Sequence, residues 1–473
     1  MVEKMELEPL TDTICAIATP IGEAGIGLIR LSGPEALKTA QRIFRRSGAE
    51  QQLKSHVLHY GWIVEPGSGE VVDEVLMCFM AAPRTYTRED VVEINCHGGF
   101  SVLNRVLRLV VSAGARLAQP GEFTRRAFLN GRIDLSQAEA VIEMIRTRSE
   151  QGLLLANRHL RGDFRRVVEG WLEVLGQAQS HLEARIDFCE DLAEEADDEV
   201  SLYESLLKSI EEGVAKPLKS ALDRFEEGRI VREGLTFVLV GKPNVGKSSM
   251  LNGLLGRDRA IVTAAPGTTR DVIEDTFLLE GVQVRVLDTA GIRGEPDEIE
   301  SRGIEMAIDS LSQADVALWL IDLSRALDAE DRRVYEALGD KRCQVILNKS
   351  DLPPAFPREI IQESFPGLKP AIRMSAKNPP DVVGLKARLA EDFLQNPLSS
   401  CRSEIVPNLR QKECLEKALD SLNKAGEMLR SNAYGELISF EIENAQKQLG
   451  TILGRSNDME LLDRIFSQFC IGK

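Results

Sequence analysis

The sequence predicts a multidomain chain: an α+β N-terminal domain, an α-helical bundle, and an α/β domain inserted between the two halves of that bundle. Three observations carry the prediction. Short β-rich runs between Gly and Pro breaks dominate the chain to about residue 135. Long, Gly-poor segments with apolar residues at three- and four-residue steps follow, and the same texture returns near the end. Between them, over about 231–393, apolar strand-like runs alternate with helical patterns. The expected boundaries are therefore 1–135, 136–230, 231–393 and 394–473. A length of 473 residues fits, since roughly 150 residues make a domain.

Within 1–135, ICAIA, GIGLIRLSG, HVLHYGWIV, EVLMCFMA and DVVEINC read as strands, and EALKTAQRIFRR and VLNRVLRLVVSAG as helices. The helical part comprises SQAEAVIEMIRTRSEQGLLLANRHL, RRVVEGWLEVLGQAQSHLEARIDF and SLYESLLKSIEEGVAKPLKSALDRFEEG. LRQKECLEKALDSLNKAGEMLR, ELISFEIENAQKQLG and DMELLDRIFSQF complete it. Each has an apolar stripe that must be covered, and one bundle made from both segments is the economical solution. In the insert, LTFVLVG, VQVRVLDT, ADVALWLIDLS and RCQVILNK are apolar enough for parallel strands buried on both faces, so a doubly wound sheet is expected.

Composition narrows the function. With 43% hydrophobic and 28% charged residues the chain is globular. No run approaches the roughly 20 apolar residues of a membrane helix, and the acidic start MVEKMELEPLTD has no secretory pattern, so a cytoplasmic location is expected. Eight cysteines are scattered without a CxxC pair or zinc-like spacing, which argues against a disulfide scaffold or a structural zinc site. No histidine lies beyond His181, so chemistry in the C-terminal half falls to carboxylates, backbone dipoles and metal ions. A net charge of −16 argues against a free-standing nucleic-acid binder, though not against a local basic patch or binding completed by a partner.

GKPNVGKSS (Gly241–Ser249) fits the phosphate-loop pattern GxxxxGK[ST], with a strand before it and a helical run after it. Gly241 and Gly246 let backbone N–H groups turn toward a β-phosphate. Lys247 supplies a point charge to the β/γ oxygens, and the Ser248 hydroxyl can ligate Mg²⁺. The partner motifs follow in order. PGTTRD supplies Thr269 to complete the Mg²⁺ shell. DTAG ends a strand at Asp288, whose carboxylate can hold Mg²⁺ through water, and its Gly291 N–H can meet a γ-phosphate. Asp351 of NKSD can accept the N1 and exocyclic N2 hydrogens of guanine, a pair adenine does not offer, and SAK (Ser375–Lys377) would close over the base. These elements read as a Ras-like P-loop GTPase domain. Ile292 stands where Ras-like enzymes carry a water-orienting glutamine. The acids that follow, Glu295, Asp297, Glu298 and Glu300, form a set from which a water-positioning group could come.

Together with ATPIGEAGIGLIRLSG, YTREDVVEINCHGG, PGEFTRRAFLNGRIDLSQAEA, DEIESRGIE and the terminal FCIGK, these motifs resemble the tRNA-modification GTPase family MnmE (TrmE) over essentially the whole chain. The resemblance implies a homodimer whose N-terminal domain dimerises and binds a formyl- or methylene-tetrahydrofolate, with Arg30, Glu93, Arg132 and Lys473 at the matching positions. It implies GTP contacts from Asn244, Val245, Gly246, Lys247, Ser248, Ser249, Thr263, Thr268 and Thr269. Further contacts come from Asp288, Thr289, Ala290, Gly291, Asn348, Lys349, Asp351, Ser375, Ala376 and Lys377. It implies Mg²⁺ at Ser248 and Thr269, K⁺ at the Asn244 side chain and the carbonyls of Thr263, Ala265 and Thr268, and Glu300 as the water-orienting catalytic residue. In the family, closure of paired G domains around K⁺ drives hydrolysis.

With the FAD-containing partner MnmG, the family adds a carboxymethylaminomethyl or aminomethyl group to carbon 5 of the tRNA wobble uridine. A surface contributed by MnmG would reconcile the acidic balance with an RNA substrate. Two other classes share the nucleotide motifs: a ribosome-assembly or translation GTPase, and a nucleotide-switched scaffold that recruits MnmG. The N-terminal motifs and FCIGK weigh against the first. Cys470 is assigned no catalysis, and His97 of NCHGG reads as a turn histidine ahead of a general base.

Overall fold

Two sheets organise the chain in the computed structural model, which describes residues 12–47, 53–147, 149–187, 196–256, 275–288, 311–394, 405–455 and 458–473. The chain divides into two units. One comprises Met1–Ile142, His159–Ala215 and Glu413–Lys473; the other comprises Glu143–Arg158 and Lys216–Lys412.

The first unit holds a seven-stranded sheet built from β1 (Ile14–Ile17), β2 (Gly27–Ser32), β3 (Phe44–Arg46), β4 (Val57–Val64), β5 (Val71–Met80), β6 (Val91–Cys96) and β7 (Arg116–Leu117), in the order β3-β4-β5-β6-β2-β1-β7. Only the β1–β7 pair is parallel among these ladders. Period-two alternation decides the faces: Val75, Met77 and Phe79 of β5 point inward while Glu74 and Leu76 point out. Helices α1 (Ala36–Ile43) and α2 (Phe100–Ser112) lay Ala36, Ala40, Ile43, Leu103, Val106 and Val110 on that inner face. The predicted helix EALKTAQRIFRR stops at Ile43, and its last three residues instead pair with β4 as a short edge strand. On the other side of β1, Ile14 and Ala16 meet Phe123 of α3 (Glu122–Leu129).

α3 also carries Arg126, fully buried, which donates to the Asp12 carboxylate at 2.8 Å and to Glu122 at 3.0 Å, and pairs with Glu89 at 3.2 Å. A guanidinium removed from water needs such partners.

The expected bundle forms from both segments: α6 (Asp163–Asp187) packs along α12 (Gly435–Leu453), and Arg455 just beyond α12 meets Glu169 of α6 at 3.1 Å. Two predicted long helices are broken. The run 136–160 forms α4 (Leu135–Arg146) and α5 (Glu150–Leu160), because the Ser149 side chain accepts the Gly152 N–H and restarts the helix. The run 201–228 is split by a π-turn over Glu211–Ala215 between α7 (Ala196–Ile210) and α8 (Lys216–Asp223).

The second unit holds a six-stranded sheet of order β13-β12-β11-β8-β10-β9. Its strands are β8 (Leu235–Val240), β9 (Asp275–Leu279), β10 (Val282–Asp288), β11 (Val316–Asp322), β12 (Cys343–Asn348) and β13 (Ile372–Arg373). β9, which the apolar-run reading missed, pairs antiparallel with β10 through a turn at Glu280 (φ +49°) and Gly281 (φ +78°), so the sheet is mixed and not wholly parallel. Apolar clusters fill both faces.

α9 (Phe225–Glu233) leads into β8, and its Arg232 donates to the carbonyls of Val406 (3.0 Å) and Pro407 (2.7 Å) where the chain leaves the insert. A Cβ at Gly228 would collide with Val406, so the two passes lie side by side.

Candidate functional site

The candidate nucleotide site sits at the carboxyl edge of the second sheet, where an open α/β fold places ligands. β8 is buried throughout and delivers the chain to Gly241 at φ +143°, where any Cβ would press on the Leu320 carbonyl. Gly246, at φ +102°, is likewise required, since a Cβ would strike the Asn348 amide. Between them Asn244 takes φ +62°, a conformation asparagine tolerates, and is exposed. α10 (Lys247–Leu255) starts immediately afterwards, so its free N–H groups and dipole face the loop. Lys247 Nζ donates to the carbonyls of Gly241 (2.6 Å) and Lys242 (3.1 Å), which holds the ammonium at the loop. The Ser248 and Ser249 hydroxyls are exposed on the first turn, and Val245 is buried beneath it.

β12 brings the base motif alongside. Asn348 is 2% exposed; its side chain donates to the Val245 carbonyl at 2.7 Å and accepts the Ala376 N–H at 2.9 Å. One side chain thus ties the phosphate loop to the SAK loop. Lys349, at φ +61°, sends its ammonium to Asp322 at 2.6 Å. Asp351 is exposed, and a hydrogen bond from the Ser375 side chain, with help from its own backbone, holds its carboxyl below the usual range. Ser375 N donates to Asp381 at 2.8 Å and Lys377 N to the Ser375 hydroxyl at 3.3 Å, which shapes the loop. Asp288 ends β10 opposite Leu239, at the same edge. Thr263, Ala265, Thr268, Thr269, Thr289, Ala290, Gly291 and Glu300 lie outside the described residues.

Sequence reading missed a set of carboxylates beside these motifs. Lys242, inside the phosphate loop, pairs with Asp328 at 2.8 Å and Asp331 at 2.7 Å. Burial alone would lower the Lys242 pKa, but the two aspartates raise it. Asp322 is 4% exposed; burial raises its pKa, yet the hydrogen bonds from Lys349 and Ser324 hold it below the ordinary value. The signal for Asp328 and Asp331 was present as D-x-x-D before a helical run: together they form a capping box on α11 (Ala329–Leu338).

In the first unit, Arg30 and Glu93 are cross-strand partners on β2 and β6, joined at 2.8 Å. Both are part-buried and bound to one another, so neither is a lone exposed charge. Arg30 Nη1 also donates to the Gly472 carbonyl at 3.2 Å, and its guanidinium lies 5.9 Å from the Phe123 ring centre. Arg132 stacks over Tyr86 at 4.7 Å, and Tyr86 packs against the cluster that contains Phe123. Lys473 is part-buried beside Gly472. His97 Nδ1 meets Asp73 Oδ1 at 2.7 Å and its backbone N–H donates to Asp73 Oδ2 at 2.9 Å.

A mixed α/β sheet with a phosphate loop, an NKSD base motif and a closing SAK loop at one edge defines a P-loop GTPase of the Ras-like class. Residues 13–132 match the family model described as "GTP-binding protein TrmE N-terminus" and residues 135–470 the "MnmE helical domain". The tRNA modification GTPase MnmE of Syntrophobacter fumaroxidans is 56% identical over 469 residues, covering 99% of this chain and 100% of that protein. Its counterpart from Carboxydothermus hydrogenoformans is 44% identical over 469 residues, covering 98% and 100%. A solved structure of Aquifex aeolicus Era bound to GDP.AlF4⁻ matches at 27% identity over 40% of this chain and 66% of that one, with a TM-score of 0.26. The chain belongs to the tRNA modification GTPase MnmE family, and it is a GTPase of tRNA modification.

Proposed function

We propose that the chain hydrolyses GTP upon K⁺-dependent pairing of two G domains. With MnmG it uses that cycle to place a carboxymethylaminomethyl or aminomethyl group on carbon 5 of the tRNA wobble uridine. The observation that carries the cation step is Asn244. It is exposed at φ +62° beside the phosphate loop, so its carbonyl oxygen is available to a cation lying against the triphosphate. The Thr263, Ala265 and Thr268 carbonyls would complete that site, and Ser248 with Thr269 would hold Mg²⁺. When bound, the two cations offset negative charge as the terminal phosphoryl group leaves, the task an arginine finger performs elsewhere.

The residues of the chain bind and orient. Loop N–H groups and Lys247 hold the phosphates, Asp288 with Thr289, Ala290 and Gly291 frames the γ-phosphate, and Glu300 orients the attacking water in place of a glutamine. Asp351, kept ionised by Ser375, accepts the two guanine donors. The part-buried Arg30–Glu93 pair supports a folate site in which Arg132 and Lys473 add cations for the glutamate tail and Glu93 meets pterin donors. Leu58 (57% exposed), Tyr60 (44%) and Leu76 (43%) form an apolar strip on the outer face of β4 and β5, which supports homodimer formation through the N-terminal domain.

The test is GTP turnover in K⁺ against Na⁺, with and without purified MnmG. Stimulation confined to K⁺ is expected; equal rates in the two salts would remove the cation site.

A further inference from the structure

The loop that runs from Asp322, at the end of β11, to Asp331, in the first turn of α11, sends carboxylates to both halves of the nucleotide site. Asp331, 1% exposed, receives Lys242 Nζ at 2.7 Å and also accepts the Asp328 N–H at 3.1 Å; Asp328 receives the same ammonium at 2.8 Å. The backbone carbonyl of Lys242 in turn accepts Lys247 Nζ at 3.1 Å. The height of that carbonyl above the loop therefore depends on where the Lys242 side chain is anchored.

Nine residues before Asp331, Asp322 receives Lys349 Nζ at 2.6 Å and the Ser324 hydroxyl at 2.6 Å, with Arg325 3.8 Å away. Lys349 sits at φ +61°, a strained position for a β-unbranched side chain that its partner helps fix. The same loop is stitched to the base strand, because Leu323 N donates to the Asn348 carbonyl at 3.0 Å. These carboxylates lie among the described residues at positions no nucleotide motif includes.

We infer that the 322–331 loop is a two-ended brace: Asp331, through Lys242, positions the phosphate-binding lysine, and Asp322, through Lys349, positions the guanine-reading loop. Neither aspartate needs to touch nucleotide. Both are positioning residues whose effects separate by the part of the ligand they govern. A buried charged pair fixes geometry because breaking it leaves a charge without a partner, so the remaining lysine must swing to find another. The inference rests on the assignment of Lys247 to phosphate and of Asp351 to guanine.

The experiment compares GDP, GMP and ADP binding to the full chain by calorimetry for Lys242→Met, Lys242→Arg, Asp322→Asn and Asp351→Asn. Lys242→Met removes the phosphate end of the brace and leaves the Asp331 cap on α11 intact. It is expected to weaken GDP about tenfold and leave GMP within twofold, with Lys242→Arg recovering most of the loss. Asp322→Asn is expected to weaken GDP and GMP alike and to reduce the GDP-over-ADP preference about tenfold. Equal loss for all three nucleotides in both variants, or no loss, would overturn the brace. If Asp351→Asn keeps its full preference for GDP over ADP, the base assignment itself fails. If Asp351→Asn loses that preference while Asp322→Asn keeps it, only the brace does.

Discussion

Replacing Asn348 with alanine severs a side chain that links the phosphate loop to the base-closing loop. Its amide donates to the Val245 carbonyl at 2.7 Å and accepts the Ala376 N–H at 2.9 Å, at a position 2% exposed. Alanine leaves both backbone groups without a partner, and an orphaned buried polar group costs about 1–3 kcal/mol. In the free protein the two loops can relax until water reaches those groups. Bound nucleotide holds the loops together and denies that relaxation, so much of the loss is read as affinity. Taking about 2–3 kcal/mol in all, GDP affinity should fall roughly 30- to 150-fold.

Asn348→Asp is the companion variant, since it retains the acceptor for Ala376 but turns an anion toward the Val245 carbonyl. It should bind GDP no better than alanine does. Calorimetric titration with GDP at fixed Mg²⁺, on protein whose circular dichroism matches the parent, provides the measurement. A dissociation constant within threefold of the parent for both variants would refute the reasoning.

Glu300→Ala should lower K⁺-stimulated GTP turnover by about 10²-fold or more while GDP affinity barely moves; normal turnover would pass the water-orienting role to Glu295, Asp297 or Glu298. The hydrogen bond to Asp73, foremost, and its charge raise the pKa of His97 above the ordinary imidazole value. The stabilisation this gives is complete below the unfolded pKa near 6.5 and is lost as pH rises through the folded value. Asp73→Asn should return the His97 titration, followed by NMR, toward 6.5; an unchanged titration would deny the pairing.

The parts of the fold that sequence disclosed are those where one physical signal dominates. β8, β11 and β12 are buried on both faces and so read as unbroken apolar runs. β9 stayed hidden because DTFLL mixes polar and apolar positions and its Glu-Gly turn is a weak hairpin signal. The break between α4 and α5 was equally obscure: helical periodicity runs through it, and only the Ser149 cap interrupts the backbone.

At the nucleotide site, motif residues such as Gly241, Lys247, Asn348 and Asp351 were legible because local spacing dictates their chemistry. Asp322 and Asp331 were not, since their partners Lys349 and Lys242 are distant in sequence and adjacent only in the folded sheet. The pairing of Arg30 with Glu93 was hidden for the same reason, since strand pairing joins them across sixty-odd residues.

The joining of α9 to Val406 and Pro407 has a bearing on how the chain assembles itself. α6 and α12 must find one another across the whole intervening insert, and loop-closure entropy grows with the length that stays free between them. Once Arg232 grips the two carbonyls, the returning strand of chain is delivered next to the outgoing one. For helices on either side, the insert then counts as a short connector, whatever its contour length. Folding of the insert therefore shortens the search for the bundle, and lengthening loops inside it should leave bundle formation almost undisturbed.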